Sequence, residues 1–322
     1  MNISVLGCGR WGAFLAWYLG RMEQHNVLLY GRERSWRMAQ LRETRKNDLL
    51  DLPARVTLTS DIHKAVDNSE ILLISIGVQS FRGFLRELSC CNLSGKKLVL
   101  CMKGLEAETG LRLTEIVRQE LGAIPCAVWV GPGHVQDFLR GIPNCMVIDS
   151  ADTALQDELI RAFSSELIRF YYGGDLTGNE VGAAAKNVIG IAAGLLDGCE
   201  LTSLKGALMA RGTREISRLI EAMGGDPRSA YGLAHLGDYE ATVFSPHSHN
   251  RAFGEALARG ESYTQLAEGA ATAQALCRLS DRLNVELPIC RAVSASTWSM
   301  PEKPTLRYRH AESCRSISAG SG

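Results

Sequence analysis

The first dozen residues constrain the fold most. Asn2 to Leu6 (NISVL) is a short apolar run that leads straight into Gly7-Cys8-Gly9-Arg10-Trp11-Gly12, and an amphipathic pattern then predicts a helix to about Met22. A strand, a glycine turn and a helix in that order open a dinucleotide-binding βαβ unit. In such a turn Gly7 permits the sharp reversal, Gly9 lets the backbone approach a pyrophosphate, and Gly12 lets helix and strand pack closely. The helix N-terminus then faces the phosphates, so a dinucleotide is the implied ligand.

The following runs extend the same architecture. Asn26 to Tyr30 reads as a second strand, ending in Gly31-Arg32-Glu33-Arg34. An acid at that strand end would bind the ribose 2′-hydroxyl of NAD, whereas arginine suits a 2′-phosphate. Arg32 therefore favours NADPH, and Glu33 leaves NAD(H) open. Ser69 to Gly77 and Lys97 to Lys103 are apolar runs without alternation, as expected of parallel strands buried on both faces. Lys103 falls at a strand's carboxyl end, where such sheets bind ligands. Ala127 to Val130, ending in Gly131-Pro132-Gly133-His134, then Cys145 to Ile148 and Ile168 to Tyr172 complete an α/β, doubly wound Rossmann domain over residues 1–172.

From Asp175 the pattern becomes helical. In the helix predicted from Gly178 to Gly198, Val181, Val188 and Leu195 recur at core spacing, while Gly182, Lys186, Gly190 and Ala193 form a second stripe. A helical glycine costs about 1 kcal/mol relative to alanine, so something must come close to this stripe, either another helix or a ligand. Lys186 then either lies on the floor of a site, where partial withdrawal from water lowers its proton affinity, or snorkels out of a tight helix contact. A helix over Ser203 to Met223 ends at Gly224-Gly225-Asp226-Pro227. A dense polar stretch follows from Gly232 to Arg251, with Asp238, Thr242, Ser248, His249 and Asn250. Asp238 is placed either to pair with and orient Lys186 or to cap a helix. Helices near Tyr263 to Asn284 and Cys290 to Trp298 close an all-helical domain over residues 173–300. Residues 301–322 have few apolar groups and read as a mobile tail.

Composition narrows the partners. Lys plus Arg and Asp plus Glu both total 35, so no net field draws the chain to nucleic acid or to an anionic membrane. Small molecules and copies of itself remain. The ten cysteines show no C-x-x-C spacing and read as reduced thiols, with no metal expected. A basic segment with an apolar signal region is not seen, and the apolar runs are too short to span a bilayer, so a cytoplasmic protein is expected.

These residues resemble the bacterial-type NAD(P)-dependent glycerol-3-phosphate dehydrogenases over almost the whole chain to about residue 298. The motifs that carry the likeness are Gly7 to Gly12, Lys103-Gly104-Leu105-Glu106, Gly131-Pro132, Lys186-Asn187, Arg211-Gly212, Gly232-Leu233-Ala234 with Gly237-Asp238, Thr242, Asn250-Arg251 and Ala267-Glu268-Gly269. The resemblance implies a homodimer that reduces dihydroxyacetone phosphate to sn-glycerol 3-phosphate, reversibly, for phospholipid precursor supply. It implies catalytic roles for Lys186, Lys103 and Asp238, and substrate contacts from Lys103, Gly131, Gly133, Thr242, Ser248, His249 and Asn250. Cofactor contacts are implied for Gly7, Gly9, Arg10, Trp11, Gly12, Arg32, Lys103, Arg251 and Glu268. The chemistry suits these side chains, because reducing a ketone puts negative charge on oxygen and lysines stabilise that charge and deliver the proton.

The chain departs from the family pattern on the substrate side. His249 stands where an arginine is common, Gly133 where serine is usual, and Ser203 where an asparagine precedes the Arg211 segment. A guanidinium holds phosphate with a planar, permanently charged fork, which histidine lacks. His247, His249 and Arg251 are the remaining candidates for that phosphate. Two alternatives follow: a paralogous dehydrogenase acting on another phosphorylated or acidic hydroxy compound, and a non-catalytic NADPH-binding regulator.

Overall fold

The computed structural model describes residues 1–298, apart from the side chain of Trp298, and the tail expected over 301–322 lies outside them. The chain divides into two compact units. One comprises Met1–Met102 and Leu113–Leu176; the other comprises, among the described residues, Lys103–Arg112 and 177–298. The segment Lys103–Arg112 thus groups with the helices, although it precedes Tyr172 in sequence.

The first unit is built on one eight-stranded sheet. Its strands are β1 (Asn2–Leu6), β2 (Asn26–Tyr30), β3 (Thr57–Thr59), β4 (Ile71–Ile74), β5 (Lys97–Leu100), β6 (Cys126–Val130), β7 (Asn144–Ser150) and β8 (Ile168–Tyr172), in the order β3-β2-β1-β4-β5-β6-β7-β8. The first six are parallel, β7 runs antiparallel to β6, and β8 is parallel to β7. The order reverses at β1 and β4, and open sheets of this kind take their ligands outside the carboxyl ends at that point.

The strands predicted over Ser69–Gly77 and Lys97–Lys103 are shorter than their apolar runs. Pairing of β4 with β1 ends at Leu6 and Ile74, so Ser75 onward turns off at the ligand side. The edge strand β3 gave no apolar signal, because it is a three-residue backbone pairing along β2. In β8 burial alternates through Ile168, Arg169 and Phe170, the mark of a sheet end covered on one face. Trp129, Phe14, Phe138 and Phe163 fill the core of this unit.

The second unit is helical and centred on the helix Leu176–Gly198, which is buried along nearly its whole length. Val181 and Val188 lie in its core, as their spacing requires, and Leu195 packs there half-buried. The glycines have separate explanations. A side chain at Gly194 would collide with the Arg251 carbonyl, and one at Gly198 would lie 2.6 Å from Ala258 Cβ. Gly254 reciprocates, since a side chain there would collide with the Ile191 carbonyl. These glycines let the helix His249–Arg259 cross at backbone distance.

The remaining long helices are Lys205–Ala222, Glu268–Leu283 and Pro288–Trp298. The helix expected from Tyr263 starts only at Glu268, an acid in the first turn that suits the positive end of the helix dipole. The last begins at Pro288 rather than Cys290, since a proline fits the first helical position, where no amide donor is needed. No helix among the described residues is long and apolar enough to cross a membrane.

Candidate active site

In the first unit the turn after β1 is defined by contacts that only glycine tolerates. Gly7 has φ +125°, and a side chain there would collide with the carbonyl of Ser75 at the end of β4. Gly12 sits so close to the turn that a side chain would collide with the Gly7 carbonyl. Gly31, at the end of β2, leaves room for the Cys8 side chain, a constraint the glycine spacing did not reveal. By contrast, a Cβ on Gly9 would meet nothing of the protein within 4 Å. Gly9 caps the helix Arg10–Gly20 without any side-chain hydrogen bond to its first-turn amides. An open face over a glycine and a helix start capped by no side chain fit a pyrophosphate.

The other residues expected on the cofactor side have defined partners. Trp11 packs 4.9 Å from Phe14 and 6.4 Å from Phe138, between ring centroids. Arg32 donates to both oxygens of Glu87, at 3.0 and 3.2 Å, in a pair exposed on both sides. Glu33 is turned to Arg42 at 2.9 Å, and hydrogen bonds from Arg42 and Ser60 hold its carboxyl below the usual range. Gly131 and Gly133 follow β6 with φ +122° and +144°. A side chain at Gly133 would collide with the Phe138 ring, so glycine here is a requirement of the local backbone and packing.

The second unit holds an ionic cluster built from three distant stretches. Lys103 Nζ donates to Asp238 Oδ2 at 2.7 Å, and Lys186 Nζ lies 3.3 Å from the same oxygen. Lys186 also donates to Thr242 Oγ1 at 2.9 Å, whose hydroxyl in turn donates to the Asp238 carbonyl at 2.8 Å. Asn187, the next residue on the helix, donates to the Lys103 carbonyl at 3.1 Å and so fixes the backbone of the first lysine beside the second. Asp238 is 1% exposed and the Lys186 side chain 12%, so the cluster is largely dry. Two lysines thus meet on one carboxylate oxygen.

That setting changes Lys186. Burial lowers its proton affinity, Asp238 opposes the shift, Lys103 adds to it, and Glu268 opposes it more weakly, giving a pKa of about 8. The anticipated Lys186–Asp238 pair is present; the second lysine on the same oxygen was not foreseen from sequence. Thr242 reaches the cluster from a single π-type turn, Glu240–Phe244, whose Val243 carbonyl accepts from buried Lys205 at 3.0 Å. Such widened turns recur at functional sites.

The His249–Arg259 helix carries the remaining candidates. Ser248 caps it by accepting from the Arg251 amide at 3.3 Å. His249 Nδ1 is 3.0 Å from the Tyr263 hydroxyl, and Asn250 accepts from the Gly269 amide at 3.0 Å. Arg251 pairs with Asp197 at 2.8 Å and Glu255 at 2.9 Å, carboxylates it shares with Lys205 and Arg259. Ser203 lies on an exposed 3-10 turn, Thr202–Leu204.

Comparison with known proteins agrees with both units. Residues 2–156 match the family model described as NAD-dependent glycerol-3-phosphate dehydrogenase N-terminus, and residues 175–298 match the corresponding C-terminus. The glycerol-3-phosphate dehydrogenase [NAD(P)+] of Halorhodospira halophila is 39% identical over 304 residues, covering 91% of each chain. That of Deinococcus radiodurans is 40% identical over 314 residues, covering 93% of this chain and 92% of the relative. The crystal structure of glycerol-3-phosphate dehydrogenase from Coxiella burnetii superposes with a TM-score of 0.89 at 25% identity, covering 99% of this chain and 98% of that one. With a Rossmann unit, a helical unit and these matches, the chain belongs to the NAD-dependent glycerol-3-phosphate dehydrogenase family of oxidoreductases.

Proposed function

We propose that the chain reduces dihydroxyacetone phosphate to sn-glycerol 3-phosphate, reversibly. The observation that carries this reading is the convergence of Lys103 and Lys186 on one buried oxygen of Asp238. A bound nicotinamide cofactor supplies the hydride to C2 of the ketone. The C2 oxygen then becomes an alkoxide that needs a proton, and Lys186, with a pKa of about 8, gives one up more readily than an ordinary lysine. The Lys103 ammonium stabilises the developing anion. Asp238 orients both ammonium groups, and Thr242 holds Lys186 by a fixed donor direction. In the reverse direction neutral Lys186 takes the proton back.

The phosphate is assigned to His249 at the start of its helix, with His247 and Arg251 as the other candidates and Ser248, Asn250, Gly131 and Gly133 as further substrate contacts. A helix N-terminus supports an anion there. The cofactor is assigned to Gly7, Gly9, Arg10, Trp11, Gly12, Arg32, Lys103, Arg251 and Glu268. NADPH is favoured over NADH, because the exposed Arg32–Glu87 pair costs little to open toward a 2′-phosphate. The family resemblance supports a homodimer that supplies phospholipid precursors. The test is a screen of the purified protein with dihydroxyacetone phosphate and other ketones, using NADPH and NADH, followed by loss of nicotinamide absorbance. Turnover is expected with dihydroxyacetone phosphate; turnover with another ketone alone would overturn the substrate assignment.

A further inference from the structure

Next to the lysine cluster lies a buried pair of titratable side chains to which the mechanism gives no role. His235 and Tyr239 are both fully buried, with ring centroids 4.8 Å apart in an edge contact. His235 Nδ1 is 2.9 Å from the carbonyl of Gly182, and its Nε2 is 2.7 Å from the Tyr239 hydroxyl. A carbonyl only accepts, so Nδ1 carries the proton, Nε2 is the acceptor, and Tyr239 donates. The bonds thus form a chain with one direction, from the Tyr239 hydroxyl through the imidazole to the backbone of the lysine helix. Gly182 stands four residues before Lys186, and its carbonyl is the one that the Lys186 amide addresses within the helix.

The placement of Asp238 gives this chain a use. Asp238 lies between the two residues of the pair, and its amide donates to the His235 carbonyl at 3.0 Å. On the far side, the amides of Thr242 and Val243 both donate to the Tyr239 carbonyl, so the π-type turn that carries Thr242 hangs from Tyr239. Two helical glycines accommodate the arrangement. A side chain at Gly182 would come within 2.9 Å of His235 Cβ, and one at Gly212 within 3.3 Å of the Tyr239 hydroxyl oxygen.

We propose that His235 and Tyr239 form a positioning pair that fixes Asp238 and Thr242 against the helix of Lys186, and so sets the environment in which that lysine exchanges its proton. The inference rests on the reading of Lys186 as the acid–base group, and it adds two residues that touch neither substrate nor cofactor. The charged groups acting on Lys186 are Asp238, Lys103 and Glu268, and those acting on His235 are Asp238 and Lys186. Tyr239 also lies near Glu215 and Cys290. Burial leaves the imidazole neutral near pH 7, so the pair serves as a fixed strut.

Tyr239→Phe removes one oxygen and strands the buried Nε2 acceptor, which water or a shift of the segment must then satisfy. Water entering there eases the burial that lowers the Lys186 pKa and raises it, whereas a shift that carries Asp238 off the lysine lowers it, so the pKa moves with either response. The test measures that pKa without turnover, from the pH dependence of acetic anhydride labelling of Lys186 read by mass spectrometry. In Tyr239→Phe the labelling midpoint is expected to move by roughly half a unit or more, up where water enters and down where Asp238 is displaced, with kcat falling about fivefold and the cofactor KM unchanged. His235→Asn keeps a donor for the Gly182 carbonyl and loses the acceptor for Tyr239, so it should shift the midpoint the same way. The double variant should move it no further than either alone. Wild-type midpoints in both folded single variants would overturn the proposal. Absence of dihydroxyacetone phosphate turnover in the wild type would count against the functional reading instead, while the labelling midpoints would still decide the role of the pair.

Discussion

The two units prepare for their ligands by opposite means. The sheet unit relies on backbone: Gly7, Gly12 and Gly31 are defined by the side chains they lack, and the helix start at Gly9 is capped by no side chain. The helical unit relies on buried charge, with two lysines sharing one carboxylate oxygen and a threonine fixing one of them. Backbone sites tolerate almost any change of side chain except the addition of one. Charged sites depend on proton occupancy, so pH and single-atom substitutions should reach them first.

The sharpest way to break this contrast is Lys186→Ala. Turnover should fall about 1,000-fold, within the range of lost general acid–base catalysis, while cofactor affinity stays within about threefold. Steady-state kinetics and cofactor fluorescence titration check both halves, and a large loss of cofactor affinity would join the two sites energetically. Acid should act on the helical unit through His235, whose pKa burial lowers from 6.5 to about 4. The folded state binds that proton less readily than the unfolded chain. This contribution is therefore complete above pH 6.5 and is lost as pH falls from there toward 4, by about 3 kcal/mol in all. Thermal melts across that window should show the loss, and His235→Asn should flatten it.

On the backbone side, Gly12→Val must push the helix off the turn after β1. Cofactor affinity should fall about 30-fold, near 2 kcal/mol, with the Lys186 labelling midpoint unmoved. The smallest effect belongs to a side chain in the backbone-built site. Arg32→Ala should lower the preference for NADPH over NADH by about tenfold, the loss of one charge-assisted contact, measured as the ratio of the two kcat/KM values.

The same contrast explains what the amino-acid sequence disclosed. The turn at Gly7 to Gly12 was legible because its constraints act within six neighbouring residues. β3 and the late start of the Glu268 helix were not, since each depends on partners outside its own stretch. Lys186 stood out on its stripe with Gly182 and Gly190, and what comes close there is His235 at the first glycine and Thr242 with Asn250 at the second. The Lys103–Asp238 bond spans 135 residues and left no local trace. His235 and Tyr239 sit in a stretch that mixes 3-10 and π-type turns, where neither helical nor strand periodicity brings two positions together. Gly133 was read as a departure on the substrate side; in the fold it makes room for Phe138.

The shared oxygen of Asp238 has a thermodynamic consequence. Burial and Lys103 work against the Lys186 proton while Asp238 and Glu268 work for it, and the lysine is close to releasing it at about pH 8. An arriving phosphate dianion reverses that tendency and draws a proton from solvent onto the cluster. Substrate capture is then also proton capture, and its calorimetric heat above pH 8 should track the ionisation enthalpy of whichever buffer supplies the proton.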